Sequence, residues 1–394
     1  MKIVLKKNNT TLLHAVFLLW LFCEIMFEHT IISQGALMLF VGVAILLTGR
    51  PSWSIHLFGY GLFIAWSALN IYFGYATSTS TASAMTRTLV LNLLFLYAFI
   101  CYCRYIKDIR TVLKFYTWIA LLFSIPCMLG GLGTVLQGER LSILGINANR
   151  IATMMAYSII ILFYTLLNSE DSKLRRRNWI LIAWLAMVIL LTGSRKGLLI
   201  PMVGVYVLIC ARRPRKILKY SAVIAAVGGV VLLMILNIEP LYNLIGHRVE
   251  AVLQYLSQDS YTEASLMTRD SYVALGWEMS QYEPVWGYGL DCFRLLRKSY
   301  GTYSHNNYIE ILYSLGWVGL IVYYCPFVLT LFRLLKNWKK HTELVSFMLA
   351  LIAPFMICDY MNVTYFERMF LLIPAIVMIA MGKKGLENEA EKIS

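Results

Sequence analysis

The chain has 394 residues, of which 59% are hydrophobic and 14% charged, with a formal net charge of +14 and a mean hydropathy of +0.66. A soluble domain is about 45–50% apolar and about 25% charged, so this composition cannot cover a globule in water. It excludes a soluble enzyme, a nucleic-acid-binding domain and a disordered tail, and fits a bilayer, where each crossing needs roughly 20 apolar residues.

Apolar runs of spanning length occur at 11–27, 31–47, 53–73, 88–106, 112–132, 150–167, 179–192, 197–211, 219–238, 305–331, 344–361 and 366–382. A helix is the only open element that satisfies its own backbone in lipid, so the expected fold is an all-α polytopic membrane protein with about twelve transmembrane helices. The first run follows Lys2, Lys6 and Lys7, contains Glu24 and has no small-x-small cleavage site. It reads as a retained span rather than a signal peptide. The chain then divides into spans one to nine over 1–238, a large helical extracytoplasmic loop over 239–304, spans ten to twelve over 305–382, and a cytoplasmic tail over 383–394.

With the N-terminus in the cytoplasm, 24 of the 35 Lys and Arg fall on the cytoplasmic side. Most of the net charge is therefore an orientation signal that requires no nucleic-acid partner, and both termini are expected to be cytoplasmic. Arg195 and Lys196 break the rule by standing in a short outer turn, Thr192–Gly197. They are either interfacial side chains that snorkel or cations placed for a purpose. Seven of the eight cysteines lie in or at the ends of apolar runs, so no disulfide framework is implied. The Cys101/Cys103 pair lacks a matching His or Cys cluster, and no metal site is expected.

In the outer loop, 246–257 reads as an interfacial amphipathic helix with Val249, Val252, Leu253 and Leu256 on one side and Arg248, Glu250 and Gln254 on the other. A second helix over 265–281 aligns Leu266, Arg269, Val273, Gly276 and Trp277 on one stripe. Arg269 then points inward, either paired with a carboxylate or waiting for an anion. Tyr282–Gly289 carries Pro284, Gly287 and Gly289 and must turn sharply. Its Gly-x-Gly is either that turn or a phosphate contact. At the end of the loop, Ser304 or Asn306 can cap the tenth span. That cap leaves His305 at the helix N-terminus on the face of Tyr308, Ile309 and Leu312, where the helix dipole favours the neutral imidazole. Trp277, Trp286, Tyr288 and Tyr303 belong either to an interfacial belt or to sugar-stacking platforms.

Four segments in this order resemble the O-antigen ligase and O-antigen polymerase superfamily of bacterial envelope glycosyltransferases. They are Arg140 followed by Gly145 to Asn149, then Ser194-Arg195-Lys196-Gly197, then Arg269 with Pro284-x-x-Gly287-x-Gly289, and finally Ser304-His305-Asn306-Asn307-Tyr308 leading into Leu315-Gly316-x-x-Gly319. The resemblance covers roughly 140–325; the first five spans match only in hydropathy. It implies a GT-C-like membrane glycosyltransferase at the outer face of the bacterial cytoplasmic (inner) membrane. Such an enzyme joins a glycan from an undecaprenyl-diphosphate carrier to an acceptor hydroxyl without metal, cofactor or nucleotide sugar.

By the same resemblance, Arg195, Arg269 and His305 are the catalytic candidates, and Arg140, Asn149, Lys196, Gly287, Gly289, Asn306 and Tyr308 are candidates for contact with diphosphate or glycan. Arg150 either extends the basic surface or anchors the sixth span. Two guanidiniums can neutralise the charge that grows on a departing diphosphate. His305 is either the base for the acceptor hydroxyl or a diphosphate ligand. The expected activity is polymerisation of a lipid-linked surface polysaccharide, with ligation of finished glycan to lipid A core or another acceptor as the runner-up and a flippase as the rival from another class. The implied partners are the lipid-linked donor, the acceptor, the bilayer and a chain-length-regulating co-polymerase.

Overall fold

The structure, a computed structural model, describes residues 2–28, 30–49, 54–136, 146–256, 264–382 and 385. The candidate Arg140 and nearly all of the 383–394 tail lie outside the described residues. Among those described there is no β-sheet, and the chain is an all-helical polytopic membrane protein. Its helices are α1 (Lys2–Met26), α2 (Ile31–Thr48), α3 (Ile55–Tyr72), α4 (Thr79–Ile106), α5 (Ile109–Leu136), α6 (Ala148–Asn168), α7 (Ser172–Leu191), α8 (Arg195–Arg212) and α9 (Ile217–Asn237). They continue with a single turn α10 (Glu239–Leu241), α11 (His247–Leu256), α12 (Ala264–Ser280), α13 (Asn307–Asn337), α14 (Thr342–Asp359) and α15 (Arg368–Ala380).

Nine of the described helices are long and apolar enough to cross a membrane. The three other expected spans form helices of a different make: α7 and α8 carry basic residues in their first turns, and α15 has only 13 residues. The polar stretch before the expected start at 88 is also helical, because Ser78 accepts the Thr81 N–H and starts α4 two turns earlier. Likewise Asp171 accepts the Lys173 N–H, so the basic cluster 173–177 forms the first turns of α7.

The helices pack in two groups, and α13 lies against α3, α12 and α14. On one side α1, α2 and α4 enclose an aromatic cluster in which Trp20 stacks on Phe95 at 4.4 Å and Phe17 on Tyr102 at 4.9 Å. Such pairs contribute about 0.5–1.5 kcal/mol each beyond the area they bury. On the other side α6, α8 and α14 pack closely. Backbones approach in lipid where side chains are small: Gly204 seats Ile160, Gly197 seats Ala152 and Ile189, and Gly59 seats Pro326 of α13. Gly276 does the same for Ile309, pressing α12 onto the start of α13.

The tenth span is broken. Gly316 has φ 64° and ψ −168° in the middle of α13, a backbone region open essentially to glycine. The interrupted ladder is repaired from outside: the N–H groups of Tyr288 and Gly289 donate to the carbonyls of Tyr313 and Ser314 at 3.0 and 2.8 Å, and Trp317 N–H donates to the Pro284 carbonyl at 2.7 Å. The Trp66 indole closes the Leu315 carbonyl at 3.1 Å. The 282–289 turn thus inserts into the break, and a Cβ on Gly287 would strike the backbone at Tyr313–Leu315. Irregular backbone survives at membrane depth only when satisfied in this way.

Candidate functional site

Three connections converge at the end of the bundle from which 239–304 projects: the turn before α8, the approach to α13, and the loop from α14 to α15. The first is held by capping. Ser194 accepts the Gly197 N–H at 3.3 Å and donates its own hydroxyl to Asn149 Oδ1 at 2.9 Å, tying the start of α8 to the start of α6. Arg195 and Lys196 are therefore the first two residues of a helix whose direction is fixed.

The approach to α13 is built differently from the expectation. Asn306, not Ser304, is the cap, accepting the Ile309 N–H at 3.1 Å. Ser304 hydroxyl donates to the Asn306 carbonyl at 2.9 Å, and Glu310 reaches back to accept the Ser304 N–H at 2.8 Å. His305 therefore precedes the helix rather than lying on its face. It takes φ 57°, the left-handed region that a non-glycine residue enters at a cost. This conformation sets the imidazole against Tyr303 at 4.5 Å and parallel to Tyr272 of α12 at 6.3 Å.

The neighbours of His305 are cationic. Burial, then Arg269, then Lys196 hold the imidazole down to about 4 from its ordinary 6.5. The ring is neutral at physiological pH because of these neighbours and its burial. Of the two cations that open α8, Lys196 acts on His305, and Arg195 precedes it in the helix. Arg269 lies one turn before Tyr272 and two turns before Gly276, the residues that α12 buries against α13 and its approach. Of the stripe expected with Arg269, Gly276 is buried and Arg269 and Val273 are half-buried. Trp277, expected on that stripe, is 49% exposed and meets Trp317 edge to face.

The third connection brings Glu367, which the sequence did not single out. It stands at the start of α15, partly buried, and its carboxyl is pushed up to about 7 by burial against the opposing pull of Arg150 and Lys196. Lys196 thus acts on both His305 and Glu367. Tyr303 is raised by burial and feels Glu367 and Arg269 together, which joins the three connections into one cluster. The loop bearing Glu367 is pinned to α13 through Asn307, whose Oδ1 accepts the N–H groups of Thr364 and Tyr365 at 2.9 and 3.1 Å. Asp359 accepts the hydroxyls of Tyr324 and Thr364.

Beneath the cluster lies a buried ionic group whose members are far apart in sequence. Arg368 donates to Glu24 at 3.0 and 3.2 Å and to Asn92 at 2.9 Å. Arg150 pairs with Glu28 and stands 3.9 Å from Glu24. Arg150 therefore has partners within the protein and joins α6 to the end of α1.

Several candidates have their polar atoms committed. The N–H groups of Gly287 and Gly289 go to the carbonyls of Glu283 and Ser314, so the Gly-x-Gly is the buttress of the broken helix and not a phosphate cradle. Asn306 is a cap, and Tyr308 donates its hydroxyl to the Met356 carbonyl at 2.9 Å. Asn149 accepts from Ser194. Trp286 is sandwiched between Trp66 at 4.2 Å and Tyr75 at 4.8 Å, so neither of its faces is open to a sugar, and Tyr288 stacks one face on Tyr313. Among the described residues no group of three or more His, Cys, Asp or Glu is placed to hold a metal ion.

Residues 180–324 match the model of a protein family described as O-antigen ligase. The matched stretch runs from α7 through the first half of α13 and contains Arg195, Lys196, Arg269 and His305. No curated protein matches the chain.

Proposed function

We propose that this protein, whose residues 180–324 match a family model described as O-antigen ligase, is a glycosyltransferase that extends a surface polysaccharide. The donor is a glycan on undecaprenyl diphosphate, the acceptor is a sugar hydroxyl, and the site faces outward from the bacterial cytoplasmic membrane. The observation that carries this reading is the meeting of Lys196 and Arg269 around an uncharged His305, beside Tyr303, where three helix connections converge.

Displacement at the anomeric carbon releases a diphosphate. Its growing charge is met by Arg269, Lys196 and the adjacent Arg195, bidentate guanidiniums being suited to paired phosphate oxygens. Of the two roles open to His305, hydrogen bonding to the donor is the better supported. A base with a pKa of about 4 has little affinity for a proton at neutral pH. A flippase would carry such charges within its spans at mid-membrane depth, whereas Arg195 and Lys196 open α8 and Arg269 belongs to a helix of the 239–304 loop.

The test is transfer by the purified protein with lipid-diphosphate-linked oligosaccharide as sole sugar source. Product growing in repeat-unit steps, and lost in Arg269→Ala, supports the polymerase. That the matched family is described as O-antigen ligase favours a second reading, ligation of a finished glycan. A single transfer to a terminal acceptor with no ladder would select it. Movement of the lipid across vesicles without transfer would replace both.

A further inference from the structure

The direction in which His305 points is set by its backbone. At φ 57° it lies in the left-handed region, which a residue other than glycine keeps only where its surroundings over-determine it. A ring of hydrogen bonds closes behind it. Glu310 Oε2 accepts the Ser304 N–H at 2.8 Å, the Ser304 hydroxyl donates to the Asn306 carbonyl at 2.9 Å, and the same carbonyl accepts the Glu310 N–H at 2.9 Å. Asn306 Oδ1 takes the Ile309 N–H at 3.1 Å. The side chains of Ser304, Asn306 and Glu310 are thus engaged with this short stretch of backbone, while the imidazole is left against Tyr303 at 4.5 Å and Tyr272 at 6.3 Å.

Among these bonds the one made by Glu310 is the least economical. Its side chain is fully buried, and its second oxygen, Oε1, is buried without a hydrogen-bond partner. Holding a carboxyl in that state is unfavourable, so packing does not explain why an acid stands there. Its reach does: from the first turn of α13 it extends back past the cap to the residue before His305. The Ser304 hydroxyl and the Asn306 amide oxygen are already engaged. Without Glu310 the Ser304 N–H is left buried and unpaired, and the chain regains a partner for it only by rotating the turn at His305.

Resting on the transferase reading above, we propose that Glu310 is a positioning residue of the reaction: by holding the Ser304 N–H it locks the left-handed turn at His305 and so fixes the imidazole that meets the donor. It acts as an acceptor of the right length and not through its charge. An uncharged side chain of equal length that still accepts a hydrogen bond therefore replaces it, whereas a charged one shorter by a methylene does not. Misplacing a substrate-holding group by about 1 Å costs about 10²-fold in rate, which sets the size of the expected effect.

The experiment compares Glu310→Gln, Glu310→Asp and Glu310→Leu with wild type, each alone and combined with His305→Ala, in transfer from lipid-diphosphate-linked oligosaccharide. The His305 ring signals are recorded in parallel by proton NMR, in a background where it is the sole histidine. The expected order of activity is Gln well above Asp and Leu. Glu310→Asp loses about 10²-fold in kcat/KM and shifts the ring signals as the imidazole leaves Tyr303, and Glu310→Gln recovers most of both. On the residual transfer of His305→Ala, where the positioned group is gone, Glu310→Asp brings no further loss. Where the Leu variant does not fold, Gln against Asp carries the comparison, since both keep a polar group in the buried place. An Asp variant as active as the Gln variant, losses that multiply in the double variant, or ring signals unmoved in Glu310→Asp overturn the assignment. Wild-type protein that transfers nothing refutes the transferase reading, and the ring signals alone then decide whether Glu310 sets the imidazole.

Discussion

The backbone N–H of Trp317 donates to the carbonyl of Pro284 at 2.7 Å across the break in α13. Residues 33 positions apart thus close one helical ladder, and Gly316 makes the closure possible. A Cβ on Gly316 would meet the Val285 and Pro284 carbonyl oxygens and would force a side chain into a glycine-only conformation. We expect Gly316→Ala to destabilise by about 1–3 kcal/mol from backbone strain and by about 1–3 kcal/mol more from overpacking. Gly61→Ala, where nothing lies within 4 Å, is the matched control and should be neutral or slightly stabilising. Thermal unfolding in detergent compares the two; equal melting temperatures would remove the buttress from the account.

The ionic group under the site gives a second expectation. Glu24→Gln leaves Arg368 buried without its counter-charge, and breaking a buried pair from one side costs about 3–5 kcal/mol. Glu24→Gln combined with Arg368→Met should recover much of that loss, because neither charge then remains unpaired. A double variant as unstable as the sum of the single ones would show that the pair is not coupled.

A third expectation concerns the pinning of the last loop. Asn307→Ala removes the acceptor of two buried N–H groups, Thr364 and Tyr365. Each unsatisfied group costs about 1–3 kcal/mol. Because that loop carries Glu367, transfer should fall even at temperatures where the variant stays folded. Full activity at such a temperature would separate loop position from the reaction.

The imidazole of His305 sets the sign of a pH dependence. Its folded value of about 4 lies below the ordinary 6.5, so below 6.5 the unfolded chain binds a proton that the folded chain refuses. Its contribution to stability is complete above about 6.5 and is lost as pH falls toward about 4. Lys196→Met should raise the imidazole, because a repelling cation is gone. Proton NMR titration of a variant with His305 as the sole histidine reads the shift; an unmoved or lowered value would contradict the placement of Lys196.

The spans were legible because lipid imposes a length and a hydropathy that composition alone reports. A neutral His305 was also expected, but from the dipole of its own helix, whereas burial, Arg269 and Lys196 are what hold the imidazole down. What escaped depends on contacts remote in sequence. Glu367 reads as an unremarkable acid before a short apolar run until α6 and α8 bring Arg150 and Lys196 to it. Glu24 and Arg368 are separated by 344 positions. Gly287 and Gly289 were read as candidate ligand contacts because a Gly-x-Gly turn looks alike whether it wraps a phosphate or a helix break. His305 was placed inside the helix, which holds only if Ser304 is the cap; with Asn306 as the cap it precedes the helix.

One helix stands apart from all these arguments. Only 6% of the Pro214–Asn237 window is buried inside the protein, against 33% or more for the other eight spans. With so little packed against it, α9 is held on the protein chiefly by the Ser221 hydroxyl against Tyr206 and by the buried Ile235, and the bilayer reads the rest of it by composition rather than order. Shuffling the residues of 222–234 should leave folding and transfer nearly unchanged, whereas the same treatment of α6 would abolish both. Evolution is correspondingly free to rewrite this segment while the helices on either side stay constrained residue by residue.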